Sequence, residues 1–146
     1  MEIQISIPGK PIAKKRPKFY RRGSFVGAYN AQETEEGKFQ LLANSQIKLE
    51  RPISNPICID MLFYMLRPKS HFGTGRNKEI LKKTAPYVHF SKPDIDNLEK
   101  MVYDCLNQMA WMDDSLIVES RAKNVYSRNP RTEITIVEVD ANGHRI

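Results

Sequence analysis

The run Ile57–Leu66 constrains this chain more than any other stretch. It is apolar almost throughout, Asp60 is its only charge, and Pro56 and Pro68 stand on either side. That length between prolines reads as a buried strand, so the fold must contain a sheet. Residues 2–7 supply a second strand, half-buried, because Ile3, Ile5 and Ile7 alternate with Glu2, Gln4 and Ser6 until Pro8, Gly9 and Pro11 end the pattern. Asn30, with Glu33 three residues on, marks a helix start. Phe39, Leu42, Ala43, Gln46 and Ile47 then keep helical spacing as far as the stop at Arg51 and Pro52. Glu33, Glu35 and Glu36 in the first turns suit the helix dipole better than a metal. A second stripe, Leu98, Met101, Val102, Cys105, Leu106 and Met109, predicts a helix over residues 97–109. Residues 116–126 and 132–139 read as two strands that pair as a hairpin around Asn129 and Pro130. The order predicts an α+β single domain: a mixed sheet of about four strands with two main helices.

A chain of 146 residues can bury a core without staples. Cys58 and Cys105 lie in apolar runs and are expected to be reduced core residues. There is no apolar run of about 18 residues and no charged-then-apolar leader, so a cytoplasmic protein is expected.

Charge is distributed unevenly. Seven basic residues fall between positions 10 and 22 with no acid among them: Lys10, Lys14, Lys15, Arg16, Lys18, Arg21 and Arg22. Seven more fall between positions 67 and 92 against Glu79 alone, and Lys69, Arg76, Lys82, Lys83 and Lys92 are the candidates there for DNA contact. Together these segments hold 14 of the 23 basic residues of a chain with a formal charge of +6. Such segregation favours a phosphate backbone as partner. Residues 10–28 read as a loop in which Phe19, Tyr20 and Phe25 can stack on unpaired bases. In the second segment Ile80 and Leu81 suggest a short helix. Gly73 and Gly75 lack the lysine of a P-loop, and His71 and His89 fit no zinc spacing, which leaves them DNA-facing or incidental.

Acids break this basic background at two places. Asp94 and Asp96 stand just ahead of the second helix, and Asp113 and Asp114 follow its end. Asp96, with Glu99 three residues on, fits an N-cap, which leaves Asp94 unexplained. If residues 94–96 are extended, as Pro93 favours for Lys92, the two carboxylates point the same way and can hold one cation. Capping and metal binding both fit the pair. Mg2+ suits such a site, since it commonly takes one or two carboxylates plus substrate phosphate. Lys100, one turn after Asp96, is either an ion-pair partner worth a few tenths of a kcal/mol or a charge that stabilises a scissile phosphate.

The string Lys92–Pro–Asp–Ile–Asp–Asn–Leu–Glu–Lys100, followed by Trp111–Met–Asp–Asp–Ser115, resembles the signature of the RusA family of Holliday junction resolvases. The opening Pro8–Gly–Lys–Pro–Ile–Ala–Lys–Lys–Arg–Pro17 is similar to that family's N-terminal pattern. The resemblance implies a homodimeric endodeoxyribonuclease of DNA recombination and repair, often prophage-encoded. It would depend on Mg2+, with Mn2+ as an alternative, and cut four-way junctions by paired nicks. It also implies that Asp94, Asp96 and Asp114 are the essential, metal-binding acids, that Lys100 is the essential lysine, and that Asp113 assists.

Helix geometry adds a condition. A helix over residues 97–109 rises roughly 19 Å, while the steps from Met109 to Asp113 span at most about 14 Å. Asp114 then falls short of Asp94 and Asp96 of its own chain, and each site is expected to take Asp114 from the partner subunit. A helix two or three residues shorter would let one chain close the site. Rival readings are a nuclease of flaps or forks, a non-catalytic DNA-binding protein and a ribonuclease. No serine–histidine or cysteine–histidine set supports a nucleophilic hydrolase.

Overall fold

The computed structural model describes residues 1–15, 18–29 and 33–146. Arg16, Pro17 and the Asn30 cap lie outside the described residues, as do the side chains of Lys18, Phe19 and Tyr20. The elements in chain order are β1 (Glu2–Pro8), β2 (Lys18–Arg22), β3 (Phe25–Tyr29), α1 (Glu33–Gln46), β4 (Ile57–Leu66), α2 (Ile95–Leu106), β5 (Ile117–Ser127) and β6 (Arg131–Glu138). Four of the strands form one mixed sheet in the order β1-β6-β4-β5. The architecture is the α+β arrangement expected.

The predicted bounds of β4 hold. Its alternate residues Ile57, Ile59, Met61, Phe63 and Met65 are buried, facing the same core as Ile3, Ile5 and Ile7 of β1 and Ile134 and Ile136 of β6. The cross-strand pairs Ile3 with Ile136 and Ile5 with Ile134 fix the register, since a one-residue slip would turn every isoleucine to solvent. Phe39 and Ala43 of α1 and the α2 stripe Leu98, Met101, Val102, Cys105 and Leu106 close the core from one side. Each such side chain contributes about 2 kcal/mol relative to an exposed one. Cys105 is in this core, and burial pushes its thiol up to about 12. Cys58 lies on the other face of β4, only half-buried, its Sγ 3.5 Å from Glu119 Oε2.

Several expectations need correction. Strands β5 and β6 do not pair with each other. Strand β4 lies between them, parallel to β5 and antiparallel to β6. The most apolar strand wins the central position because its second face is also half-covered. The link from Ser127 to Arg131 needs only to cross two strand spacings, about 10 Å, and four residue steps reach that far. Residues 18–29 are not loop but a hairpin, Arg22 pairing with Phe25. Gly23, at φ +60°, takes the first position of the two-residue turn, where a side chain would be strained. Ile80 and Leu81 form no helix; Leu81 bridges to Phe72.

Both helices end early. Helix α1 stops at Gln46, whose amide reaches the free edge of β1: its Oε1 accepts from Ser6 N and its Nε2 donates to Ser6 O, both at 2.8 Å. One side chain thus satisfies two edge groups of the strand. Helix α2 runs from Ile95 to Leu106, two residues earlier at its start and three at its end than the stripe predicts. Gln108 then takes φ +67°. The turn it makes carries Ala110 and Trp111, both fully buried, back to the core, where Ala110 O and Met112 N bond to Ile53 at 2.9 Å. Burial of the indole outweighs one more turn of helix.

Candidate active site

The short start of α2 decides how its acids are held. Asp94 is the N-cap residue, at φ −70° and ψ 145°, with no side-chain bond to the helix. Asp96 lies within the first turn. The reading of Asp96 as cap, and of residues 94–96 as an extended run, is therefore corrected: the helix claims Ile95 and Asp96. Both carboxylates gain from the N-terminal end of the dipole. Each also meets a lysine. Lys92 Nζ lies 2.8 Å from Asp94 Oδ2, and Lys100 Nζ lies 3.9 Å from Asp96 Oδ2. The hydrogen bond to Asp94 raises the pKa of Lys92 above its ordinary value. Asp94 and Asp96 remain about half exposed, at 48% and 64% of their side-chain surface, so their oxygens are open to a ligand from solvent.

The N-terminal basic loop is fastened beside them. Lys14 N donates to Asn97 O at 2.9 Å, while Lys14 Nζ meets Glu36 Oε1 at 2.6 Å and Asp104 Oδ2 at 3.3 Å. Lys14, a candidate DNA contact by sequence, is thus committed to an internal ion pair joining the loop to both helices. Lys10 and Lys15 are exposed and share a cavity of 430 Å³ with Pro93. Lys14→Met should lower stability by roughly 1 kcal/mol, since the pair is only partly shielded from water. It should leave the salt dependence of DNA binding unchanged, whereas Lys10→Ala or Lys15→Ala should flatten it. Urea unfolding and binding titrations at several salt concentrations check both statements.

A larger cleft of 780 Å³ opens on the other side of Pro93, between residues 89–95 and residues 122–124 of β5. Lys92, Asp94, His89 and Lys123 line it. Other candidate contacts lie away from this cleft: Arg21 and Arg22 on the hairpin, and Lys69, Arg76, Lys82 and Lys83 in the second basic segment, all exposed.

Asp113 and Asp114 occupy the other end of α2. Trp111 Nε1 donates to Asp114 Oδ1 at 2.8 Å, which ties that carboxylate to the buried indole. Asp113 Oδ2 accepts from Ser115 N at 2.9 Å, and its bonds to Ser115 hold its carboxyl below the ordinary range. Near this end stands Tyr103, its phenol pushed up first by burial, with Glu99 and Asp114 adding to the rise. Glu99 is itself raised by burial and by the charge of Asp96. Among the described residues, no group of three or more His, Cys, Asp or Glu side chains is gathered as a metal site within the chain. Lys92 is set against Asp94 and Lys100 against Asp96, while Asp114 is held by Trp111.

Sequence reasoning passed over Trp111 as the anchor of Asp114, and over Asn124 and Ser91 as neighbours of His89. An inward strand position held by asparagine between Ala122 and Tyr126 was the available signal, because an inward amide needs a polar partner.

Residues 8–137 match the protein family described as Endodeoxyribonuclease RusA. The chain is also 33% identical over 140 residues to the uncharacterized protein YqaN of Bacillus subtilis (strain 168), covering 95% of this chain and 98% of that protein. Among the described residues no helix is long and apolar enough to cross a membrane.

Proposed function

This chain belongs to the RusA endodeoxyribonuclease family, and on that premise we propose that it resolves four-way DNA junctions by phosphodiester hydrolysis, as a homodimer placing one nick in each of two strands. The observation that carries the reading is the start of α2. Two half-exposed carboxylates stand at a helix N-terminus beside a fastened basic loop, and one of them, Asp94, lines the cleft with Lys92 and Lys123.

The donor set fits Mg2+ or Mn2+. Asp94 and Asp96 offer hard oxygens, and two carboxylates with a phosphate are a common complement for such an ion. Asp114 of the partner subunit would complete the set. When bound, the ion supplies Lewis-acid polarisation of the phosphoryl oxygen and a more acidic attacking water. The chain's own residues do the rest. Lys92, Lys10 and Lys15 hold the backbone phosphates. Lys100 supplies positive charge where negative charge grows on the scissile group. Asp113 shapes the turn that presents Asp114. The substrate places this activity in the cytoplasm of a bacterial or phage-infected cell.

The test is cleavage of a labelled four-way junction beside linear duplex, flap and fork DNA, with Mg2+ or with EDTA. Cutting of the junction alone, in paired positions and only with the metal, is the expected result. Equal cutting of all branched forms would replace the junction reading by a general branched-DNA nuclease. Cutting in EDTA would remove the metal. Binding should weaken with salt by roughly 0.9 log units per phosphate contact per log unit of salt.

A further inference from the structure

One polar cluster in the cleft has no part in the chemistry above. His89 is half-buried on the cleft wall and fastened on three sides. Its backbone N donates to Asn124 O at 3.0 Å, which adds residue 89 to the outer edge of β5. Its Nδ1 lies 2.8 Å from Asn124 Nδ2. Its ring meets Tyr126 edge-on, with centroids 5.1 Å apart. Tyr126 is held in turn by His71 at 4.7 Å and by the Arg67 guanidinium at 5.4 Å. Nε2 faces the exposed hydroxyl of Ser91 at 3.3 Å, and the backbone of Lys92 also hydrogen-bonds the ring.

We propose that His89 is a substrate-binding residue, whose Nε2–H donates a hydrogen bond to a backbone phosphate oxygen of the strand lying in the cleft beside Asp94. The inference rests on the nuclease reading above and adds a residue to it. Three considerations lead to it. With Asn124 Nδ2 as the donor to Nδ1, the neutral ring carries its proton on Nε2, on the side of Ser91. Ser91 is a rotatable surface hydroxyl at long distance, which a phosphate oxygen can displace at little cost. Stability also gives no reason for the cluster. An apolar side chain would pack on Tyr126 without a polar partner, whereas Asn124 Oδ1 is buried with no hydrogen-bond donor among the described residues. Polar groups kept at such a cost sit where they have a task. Burial lowers the imidazole's pKa, against hydrogen bonds to the backbone of Lys92 and of His89 itself and with the charge of Lys10 adding to the fall, so the ring acts near pH 8 as a neutral donor.

The experiment is junction binding in EDTA at pH 8, so that cleavage plays no part. Junctions carry a neutral methylphosphonate at one backbone position at a time. Wild-type protein is compared with His89→Ala and His89→Gln, and Lys92→Ala serves as the charged control. His89→Ala should weaken binding about tenfold with an unchanged salt slope, because a neutral donor releases no counterion, while Lys92→Ala should reduce the slope by about 0.9. His89→Gln, with an amide N–H near the place of Nε2, should recover most of the loss. One methylphosphonate position should weaken wild-type binding and have no further effect on His89→Ala. If methylphosphonate effects add to the His89→Ala loss at every position, the residue only supports the fold and the proposal is overturned. Unchanged affinity in His89→Ala overturns it too. Wild-type protein that binds DNA yet cuts no junction with Mg2+ would sink the nuclease reading alone, since the methylphosphonate comparison would still report on His89.

Discussion

Asp94→Asn should abolish junction cleavage, by roughly a thousandfold or more, and leave the junction bound as tightly or tighter. The cleavage loss follows from the ligand count. A site of two half-exposed carboxylates from one subunit cannot lose one and still hold its ion against water, and the metal's share of transition-state stabilisation is several kcal/mol. The binding gain has two sources. A negative charge facing phosphates disappears, worth at most about 1 kcal/mol in a solvent-exposed cleft. The Lys92 ammonium, which Asp94 engages at 2.8 Å, is also released to the backbone. The variant should stay folded, since Asp94 caps α2 through its backbone conformation and not through a side-chain bond, and asparagine is an equally good N-cap. Gel cleavage assays, binding titrations and thermal unfolding on one preparation test all three claims. Residual cutting within tenfold of wild type would take Asp94 out of the chemistry. Intact cutting with weakened binding would return it to the role of a helix cap.

How much of the fold was legible depended on whether the deciding contacts were local. The bounds of β4, the alternation of β1 and the α2 stripe could be read because each pattern is complete in itself. The partners of β5 and β6 could not. Their short link suggests a hairpin, and only competition among three strands for the most apolar neighbour places β4 between them. The hairpin at residues 18–29 had a local signal in Gly23–Ser24 between aromatic and β-branched residues, but the density of lysine and arginine hid it. Helix ends failed for a third reason. Gln46 is spent on the edge of β1 and Trp111 on the core, and both demands come from distant residues.

The site divides in the same way. Asp94, Asp96 and Lys100 were legible as types and spacing, and so was the pairing of Lys100 with Asp96, whereas the pairings distant in sequence were not. Nothing local ties Lys14 to Glu36 and Asp104, or Asn124 to His89, across 22, 90 and 35 positions of chain. The basic residues near the cleft therefore looked alike in sequence. Folding separates Lys14, which holds the loop, from Lys10, Lys15 and Lys92, which face outward.

An equimolar mixture of Asp94→Asn and Asp114→Asn chains should regain cleavage that neither variant shows alone. Helix α2 stops at Leu106, three residues short of the expected end, which frees enough chain for one subunit to close its own site. That slack is used otherwise. Residues 107–112 fold back through bonds to Leu106, Trp111 and Ile53, and the indole then fixes Asp114 at 2.8 Å. Strand β5 returns along α2 in the opposite sense, so that Ala122 and Asn124 border the Asp94 cleft while Tyr103 senses Asp114. The backbone of Tyr103 is about 10 Å along the helix from that of Asp96. Two copies related by a two-fold axis, with α2 helices antiparallel, would bring each Asp114 to the other subunit's Asp94 and Asp96. In a mixed dimer one site then carries both substitutions and the other neither. With random exchange about half the dimers are mixed, so cleavage should return to about a quarter of wild type, as single nicks in place of paired ones. Co-expression with two different tags, isolation of the mixed dimer and denaturing gels of doubly labelled junctions read this directly. If the isolated mixed dimer stays inactive, each site belongs to one chain.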